Sequence, residues 1–196
     1  MINREDWWST PIWNFIIPSE DINYTGIEQE CYAKKEKDLG RVISNNGGWQ
    51  SNDIFINKTT PHISRLLSSI EKYTTIALNE YGKRSDVKVA LNNAWINING
   101  TGDSNNIHWH PRCVVSGVFY VKAPQDSGKI TFYNDSRTDC YNHLYFDANN
   151  KNTFSSISYK AEVGRVLAFP PWLIHSVESS RSNEDRISIA FNFVGK

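Results

Sequence analysis

The sequence predicts a mainly β protein, an antiparallel sandwich or jelly roll with helices packed on one side of it. Two observations lead to this prediction. Helical patterns are confined to the first 86 residues, and beyond Val87 the chain breaks into short runs rich in β-branched and aromatic residues, separated by Gly, Pro, Asn and Asp clusters. Helices followed by a run of strands argue against alternating βαβ units, which build parallel sheets.

The helices are predicted in the N-terminal part of the chain. From Pro61 to Tyr81 apolar residues recur at three- and four-residue spacing and Gly82 follows, which predicts an amphipathic helix ending at a C′ glycine. A shorter helical segment, 26–39, precedes it, and residues 45–51 have the composition of a turn or irregular loop. The predicted strands are 87–99, 114–121, 129–133, 164–169, 172–178 and 186–194.

Length, charge and cysteine content restrict the class of protein. At 196 residues we expect a single domain, with residues 1–86 packed on a β core formed by residues 87–196. The 21 basic and 21 acidic side chains cancel, so no overall field attracts nucleic acid or an anionic membrane. Three cysteines without a CxxC pair are typical of a reducing compartment, and no apolar run is long enough to cross a membrane. We therefore expect a cytoplasmic protein.

Two histidines two residues apart, His108 and His110, form the first candidate site. In an extended segment their imidazoles point to the same side and can hold one metal between them. On the spacing alone, two histidines at the surface or at the edge of the core explain the pattern at least as well.

The C-terminal segment adds a third histidine and an arginine. His175 lies in one predicted strand, and a polar loop over 179–185 leads to Arg186 at the start of the next. If the two strands form a hairpin, His175 and Arg186 lie opposite or nearly opposite each other on one face of a sheet.

The last strand has two different faces. Ile187, Ile189, Phe191 and Phe193 form an apolar face, and Arg186, Ser188, Ala190 and Asn192 form the other. A polar face of this kind normally turns to water. The alternative interpretation is that it lines a cavity, where Arg186 offers a bidentate donor pair to a carboxylate and Ser188 adds a hydroxyl.

Taken together, these residues resemble a known family. The sequence is similar to the Fe(II)/2-oxoglutarate oxygenase superfamily of double-stranded β-helix (cupin-like barrel) enzymes, and more closely to a group of unassigned substrate from marine microbes and their viruses. The resemblance spans roughly residues 45–194. Its motifs are His108-x-His110, Phe169-Pro170-x-Trp172-Leu173-x-His175, Arg186-x-Ser188, Gly48-Trp49-Gln50-Ser51, Trp95-x-Asn97, His110-Pro111 and Ser116-Gly117-Val118-Phe119-Tyr120-Val121.

The resemblance implies an iron-dependent dioxygenase that uses 2-oxoglutarate and O2, with hydroxylation as the usual outcome. It implies that His108, His110 and His175 bind Fe(II) and that Arg186 pairs with the distal carboxylate of 2-oxoglutarate. The usual metal-binding triad of the superfamily has a carboxylate where this chain has His110. The alternative is that one histidine of the pair lies outside the coordination sphere and that Asp103 or Asp135 supplies an oxygen ligand.

Further residues are candidates for supporting roles. Asn97 and Tyr120 are candidate co-substrate contacts, although an asparagine near a turn and a tyrosine in a strand often have structural roles instead. Tyr133 is a weaker candidate of the same kind. Trp109 and Trp172 flank proposed ligands and either wall the pocket or pack in the core, the latter being the commoner role of tryptophan. The long polar segment 134–154 suits a lid or a mobile surface loop.

Two other classes of protein remain open at this stage. A cupin-like metal enzyme with three histidines explains His110 but leaves Arg186 and Ser188 without a role. A non-enzymatic jelly-roll binding module predicts no metal. The substrate is not readable from the sequence; a free amino acid, a peptide side chain or a small metabolite fit equally, and the aromatic N-terminus is compatible with a homodimer.

Overall fold

The computed structural model describes residues 3, 9–134, 151 and 154–195. A short 3-10 helix over Ser19–Asp21 precedes two α-helices, α1 (Tyr24–Lys35) and α2 (Pro61–Glu80). The strands in the described ranges are β1 (Trp13–Ile16), β2 (Asn45–Asn46), β3 (Trp49–Gln50), β4 (Val89–Asn99), β5 (Ser104–His108), β6 (Val115–Lys122), β7 (Lys129–Tyr133), β8 (Ser156–Lys160), β9 (Arg165–Phe169), β10 (His175–Val177) and β11 (Arg186–Gly195).

These strands form two antiparallel sheets. The first has the order β1-β9-β6-β11-β4-β3 and the second has the order β2-β5-β10-β7-β8. From β4 onward the chain passes back and forth between the sheets: β4, β6, β9 and β11 lie in the first, and β5, β7, β8 and β10 lie in the second. This winding is that of a jelly roll, and it confirms the predicted fold class.

The larger core lies between the helices and the outer face of the first sheet. Helix α2 buries its apolar stripe there, and the buried residues keep the predicted three- and four-residue spacing from Ile63 to Leu78. Each fully buried Leu or Ile contributes roughly 1.5–3 kcal/mol. Gly82, with a φ of 93°, follows the capping residue Tyr81, so the predicted glycine stop of the helix is also confirmed.

Helix α1 begins earlier than the predicted segment 26–39 and ends earlier. The Asn23 side chain accepts a hydrogen bond of 3.0 Å from the backbone N–H of Gly26, which fixes the start of the helix at Tyr24. Residues 45–51 were predicted as a turn, and the structure adds a short strand on each side of Gly47-Gly48, one in each sheet.

Strand β11 lies in the middle of the first sheet and separates the larger core from the space between the sheets. Ile187, Ile189, Phe191 and Phe193 are fully buried against the helices. Arg186, Ser188 and Ala190 face the other way and line a cavity between the sheets. The cavity interpretation of the polar face is therefore correct, and the solvent-facing interpretation is wrong.

The predicted pairing of His175 with Arg186 is wrong. Strand β10 belongs to the second sheet, where His175 pairs with His108 on one side and Phe132 on the other. Arg186 pairs with Asn99 in the first sheet. Residues 179–185 thus cross from one sheet to the other instead of closing a hairpin, and the two residues face each other across the cavity.

Candidate metal and co-substrate site

Three histidines converge at one place in the cavity. His108 ends β5, His110 follows two residues later, and His175 begins the adjacent strand β10. One side-chain nitrogen of each lies within 4.8 Å of the corresponding nitrogens of the other two, and no other such group of potential ligands occurs among the described residues. The pairing of β5 with β10 brings residues 67 positions apart in sequence to one point.

Backbone hydrogen bonds hold these rings in place. The Nδ1 atom of His108 lies 2.7 Å from the carbonyl oxygen of Asn106, and the Nδ1 atom of His175 lies 2.8 Å from that of Leu173. Because a carbonyl oxygen only accepts, each Nδ1 carries the proton, and the Nε2 lone pair of the neutral ring is free to bind a metal. The His110 backbone N–H donates to the carbonyl of Pro171 at 2.9 Å and ties the two loops together.

Burial keeps the three imidazoles neutral. It lowers the pKa of His175 to about 3 and that of His110 to about 4, and the neighbouring His108 adds to both effects. Burial also lowers the pKa of His108. Neutral imidazole is the form that binds a metal, so the set is already in its binding form at neutral pH.

The spacing of two of these nitrogens fits a shared ion. The Nε2 atoms of His110 and His175 lie 3.2 Å apart. Two nitrogens that each lie about 2.1 Å from one ion are about 3 Å apart when they subtend a right angle at it. The donor set of three neutral imidazoles therefore fits a divalent transition metal.

Aromatic rings surround the histidines. Trp95 stacks on His110 with ring centroids 5.6 Å apart, and Phe169 meets the edge of His175 at 4.7 Å. Phe132 packs against both Phe169 and His175. These rings fix the orientation of the imidazoles and shield them from water.

Arg186 lies on the opposite wall of the same cavity. It is 2% exposed, and burial lowers the pKa of its guanidinium. Its Nη1 donates to the carbonyl oxygen of Ser127 at 2.7 Å and its Nη2 donates to Asn99 Oδ1 at 3.0 Å. Its Nε is buried without a hydrogen-bond partner, and no described carboxylate forms an ion pair with the guanidinium. A buried, unpaired cation of this kind fits an anionic ligand.

The structure places the other predicted co-substrate residues near Arg186. Ser188 and Tyr120 are paired across neighbouring strands and line the cavity, and neither hydroxyl bonds to another described residue. Burial raises the pKa of Tyr120 to about 12, so its hydroxyl remains a hydrogen-bond donor. Asn97 lies on β4, where it pairs with Ser188 of β11, and it is buried. It is not among the residues that line the cavity.

Several sequence-based candidates lie elsewhere. Trp109 and Trp172 are 60% and 52% exposed, so the expectation that they pack in the core is wrong. The Asp103 carboxylate accepts the backbone N–H of Gly100 at 2.7 Å and is not grouped with the histidines. Tyr133 hydrogen-bonds Ser176 at 2.9 Å and does not line the cavity. Asp135 and almost all of the proposed lid, 134–154, lie outside the described residues.

Sequence reasoning missed three contributors to the site. Asn99 and the carbonyl of Ser127 hold Arg186, and Trp95 holds His110. Asn99 and Trp95 share a strand face with Asn97, so the alternation of β4 is the signal that could have found them. The backbone carbonyl of Ser127 leaves no signal in the sequence.

The comparisons with known proteins agree with this geometry. A jelly roll with a histidine cluster facing a buried arginine fits a metal-dependent protein that binds an anionic ligand. The family described as "Putative 2OG-Fe(II) oxygenase" matches residues 93–192, just over half of the chain, and this chain belongs to that family. It is therefore an oxidoreductase of the group that uses Fe(II), 2-oxoglutarate and O2.

Solved structures share the fold at low sequence identity. A prolyl-4-hydroxylase from Pseudomonas putida is 13% identical, with a TM-score of 0.66 over 95% of this chain and 93% of that one. A viral collagen prolyl hydroxylase from Paramecium Bursaria Chlorella virus-1 is 14% identical, with a TM-score of 0.59 over 93% and 94%. HygX from Streptomyces hygroscopicus, solved with nickel and 2-oxoglutarate, is 12% identical, with a TM-score of 0.62 over 94% and 83%.

No curated protein matches the sequence significantly. Within the part of the chain that the structure describes, neither α-helix has the length and apolar character needed to cross a membrane.

Proposed function

We propose that His108, His110 and His175 bind Fe(II), that Arg186 pairs with the distal carboxylate of 2-oxoglutarate, and that the enzyme hydroxylates a small molecule or a peptide side chain. The observation that carries the proposal is that Arg186 lines the same cavity as three neutral imidazoles while its buried Nε has no hydrogen-bond partner. Iron and the keto acid, when bound, supply the activation of O2 and the oxidation of a C–H bond.

The residues of this chain bind and orient the reactants. The Nδ1–H groups of His108 and His175 donate to backbone carbonyls, so their Nε2 lone pairs stay directed at the metal position. Arg186 keeps its Nε–H for the distal carboxylate, while the hydroxyls of Tyr120 and Ser188 lie on adjacent strands as further donors. A dicarboxylate that spans the cavity in this way has its keto end directed toward the histidines.

A neutral three-histidine set also suits a cupin-like enzyme that does not use 2-oxoglutarate. That second candidate gives the unpaired Arg186 no ligand, so we favour the first. The unpaired thiols of Cys31 and Cys113 support the further proposal of a reducing compartment, the cytoplasm. The prolyl hydroxylases among the structural neighbours make a peptidyl substrate the first class to test.

An anaerobic titration separates the two candidates. Metal-depleted protein is loaded with Fe(II) and titrated with 2-oxoglutarate, and the visible charge-transfer band of the chelated keto acid is recorded. We expect the band in wild type, and a need for about 100-fold or more 2-oxoglutarate in Arg186→Met, because the distal carboxylate loses both a charge-assisted hydrogen bond and the only cation that faces it in the cavity.

The matched control is Arg84→Met, which removes an arginine that is 78% exposed and does not line the cavity. It should titrate like wild type. Metal binding without a band in wild type would favour the cupin-like enzyme, and absence of metal binding would refute both enzymes.

A further inference from the structure

The guanidinium of Arg186 is held only by neutral groups. Its two terminal nitrogens donate to the carbonyl oxygens of Ser127 and Gly128, at 2.7 and 3.5 Å, and to the amide oxygen of Asn99, at 3.0 Å. A buried arginine is normally paired with a carboxylate. Here no described carboxylate forms an ion pair with the guanidinium. Burial lowers the pKa of Arg186, and the charge of Asp103 opposes that effect only from beyond ion-pair distance.

The charge of the groups that hold Arg186 determines how strongly its guanidinium attracts an anionic ligand. Neutral acceptors fix the plane of the guanidinium and leave it without a carboxylate in direct contact, so that Asp103 offsets its charge only in part and from a greater distance. A carboxylate in the same position would satisfy the same N–H group but would also neutralise the charge, and a second carboxylate would then gain much less from binding. The neutral amide of Asn99 therefore orients Arg186 without neutralising its charge.

Asn99 itself is fixed by the turn that joins the two sheets. Gly48, with a φ of 64°, approaches Asn99 so closely that a Cβ there would lie 2.8 Å from Asn99 Nδ2 and 3.0 Å from the carbonyl oxygen of Ile98. At Gly47, with a φ of 71°, a Cβ would lie 2.1 Å from the carboxylate of Asp103. Only glycine allows the turn to pack at these distances.

We propose that Asn99 is a positioning residue for 2-oxoglutarate binding: backed by the Gly47-Gly48 turn, its neutral amide orients Arg186 and keeps the guanidinium charge free for the distal carboxylate. This inference rests on the proposed function. It also gives a role to the segment that begins at Gly48, which lies far from the metal ligands in sequence and does not contact the cavity through its side chains.

The charge-adding substitution Asn99→Asp tests the proposal most sharply. Aspartate has nearly the same shape as asparagine and can accept the same hydrogen bond from Arg186, whose charge offsets the added carboxylate, so the fold should be kept. The affinity for 2-oxoglutarate should nevertheless fall on the order of 100-fold, because the guanidinium is already neutralised. A merely structural Asn99 predicts the reverse: little loss of affinity when the shape is conserved.

Two keto acids make the measurement specific. Calorimetric titration of the anaerobic Fe(II)-loaded protein is done with 2-oxoglutarate and with 2-oxobutyrate, which has the same keto acid head and lacks the distal carboxylate. In Asn99→Asp only the 2-oxoglutarate affinity should change. Asn92→Asp, an exposed asparagine on the same strand, is the matched control for the added charge and should bind both ligands like wild type.

A second variant keeps the test valid if Asn99→Asp fails to fold. Gly48→Ala pushes on Asn99 from the turn, and it should also weaken 2-oxoglutarate selectively, about tenfold. Wild-type affinity for 2-oxoglutarate in the folded Asn99→Asp protein would overturn the inference, as would equal weakening of both keto acids in either variant. If wild type itself does not prefer 2-oxoglutarate over 2-oxobutyrate, the proposed function fails and the inference fails with it.

Discussion

The neutral histidine cluster predicts a steep loss of stability in acid when no metal is bound. Burial lowers the pKa of His110 to about 4 and that of His175 to about 3, from a usual value of 6.5. In the unfolded chain both rings take up a proton near pH 6.5, whereas in the folded protein they remain neutral. Acid therefore stabilises the unfolded state, and the free energy of unfolding falls as the pH falls below about 6.5, down to the pKa values of the folded protein.

The size of this loss follows from the two pKa differences. Where a histidine is fully protonated in the unfolded chain and neutral in the folded protein, the free energy of unfolding falls by about 1.4 kcal/mol for each pH unit. Between pH 6 and pH 5 the unfolded rings are mostly but not wholly protonated, so the two histidines together should contribute roughly 2.5 kcal/mol. That is a large part of the 5–15 kcal/mol that typically stabilises a domain.

Denaturant unfolding of chelator-treated protein at pH 6 and pH 5 measures the effect. The comparison is between wild type and the double variant His110→Gln/His175→Gln, in which the rings cannot titrate and other acid-sensitive groups are unchanged. We expect wild type to lose roughly 2.5 kcal/mol more than the double variant over this interval. Equal losses in the two proteins would refute the claim that the folded cluster is held neutral.

Three further predictions concern packing and reactivity. Gly117→Ala should destabilise the protein by about 2 kcal/mol or more in denaturant unfolding. The added Cβ would lie 2.3 Å from the Phe191 ring and 2.7 Å from the carbonyl oxygen of Leu167, and an unchanged unfolding midpoint would contradict this packing. Cys31 should resist iodoacetamide in the folded protein and react after unfolding, as read by peptide mass spectrometry, because it is fully buried and burial raises the pKa of its thiol; rapid labelling of the native protein would contradict that burial. Trp172→Ser should lower the free energy of unfolding by about 2 kcal/mol at most, because half of the indole is already exposed, and a loss of about 3–5 kcal/mol, typical of a buried tryptophan, would show that it is a core residue.

The elements with a strong periodic pattern could be predicted from the sequence. Helix α2 and strand β11 each have one continuous apolar face, and both faces are buried as their spacing predicts. The alternation of β11 also placed Arg186 and Ser188 on the cavity side once a cavity was assumed. Short strands such as β2 and β3, two residues each, have too little pattern to be recognised.

A different reason explains why the sequence did not show that His175 and Arg186 lie in different sheets. A seven-residue polar connection between two strands fits a hairpin and a crossover between sheets equally well, because loop length alone does not fix which sheet the next strand joins. The prediction that Trp109 and Trp172 pack in the core was wrong for a related reason. Hydrophobicity predicts burial on average, but these two residues lie in loops between strands and outside both cores.

The most direct test of the central claim is a crystal structure of the anaerobic Fe(II) and 2-oxoglutarate complex, with the metal located by anomalous scattering at the iron edge. We predict one iron bound by nitrogens of His108, His110 and His175, and the distal carboxylate of the keto acid within about 3 Å of Arg186 Nε. Iron bound elsewhere, a carboxylate ligand in place of His110, or a keto acid that does not reach Arg186 would contradict the account.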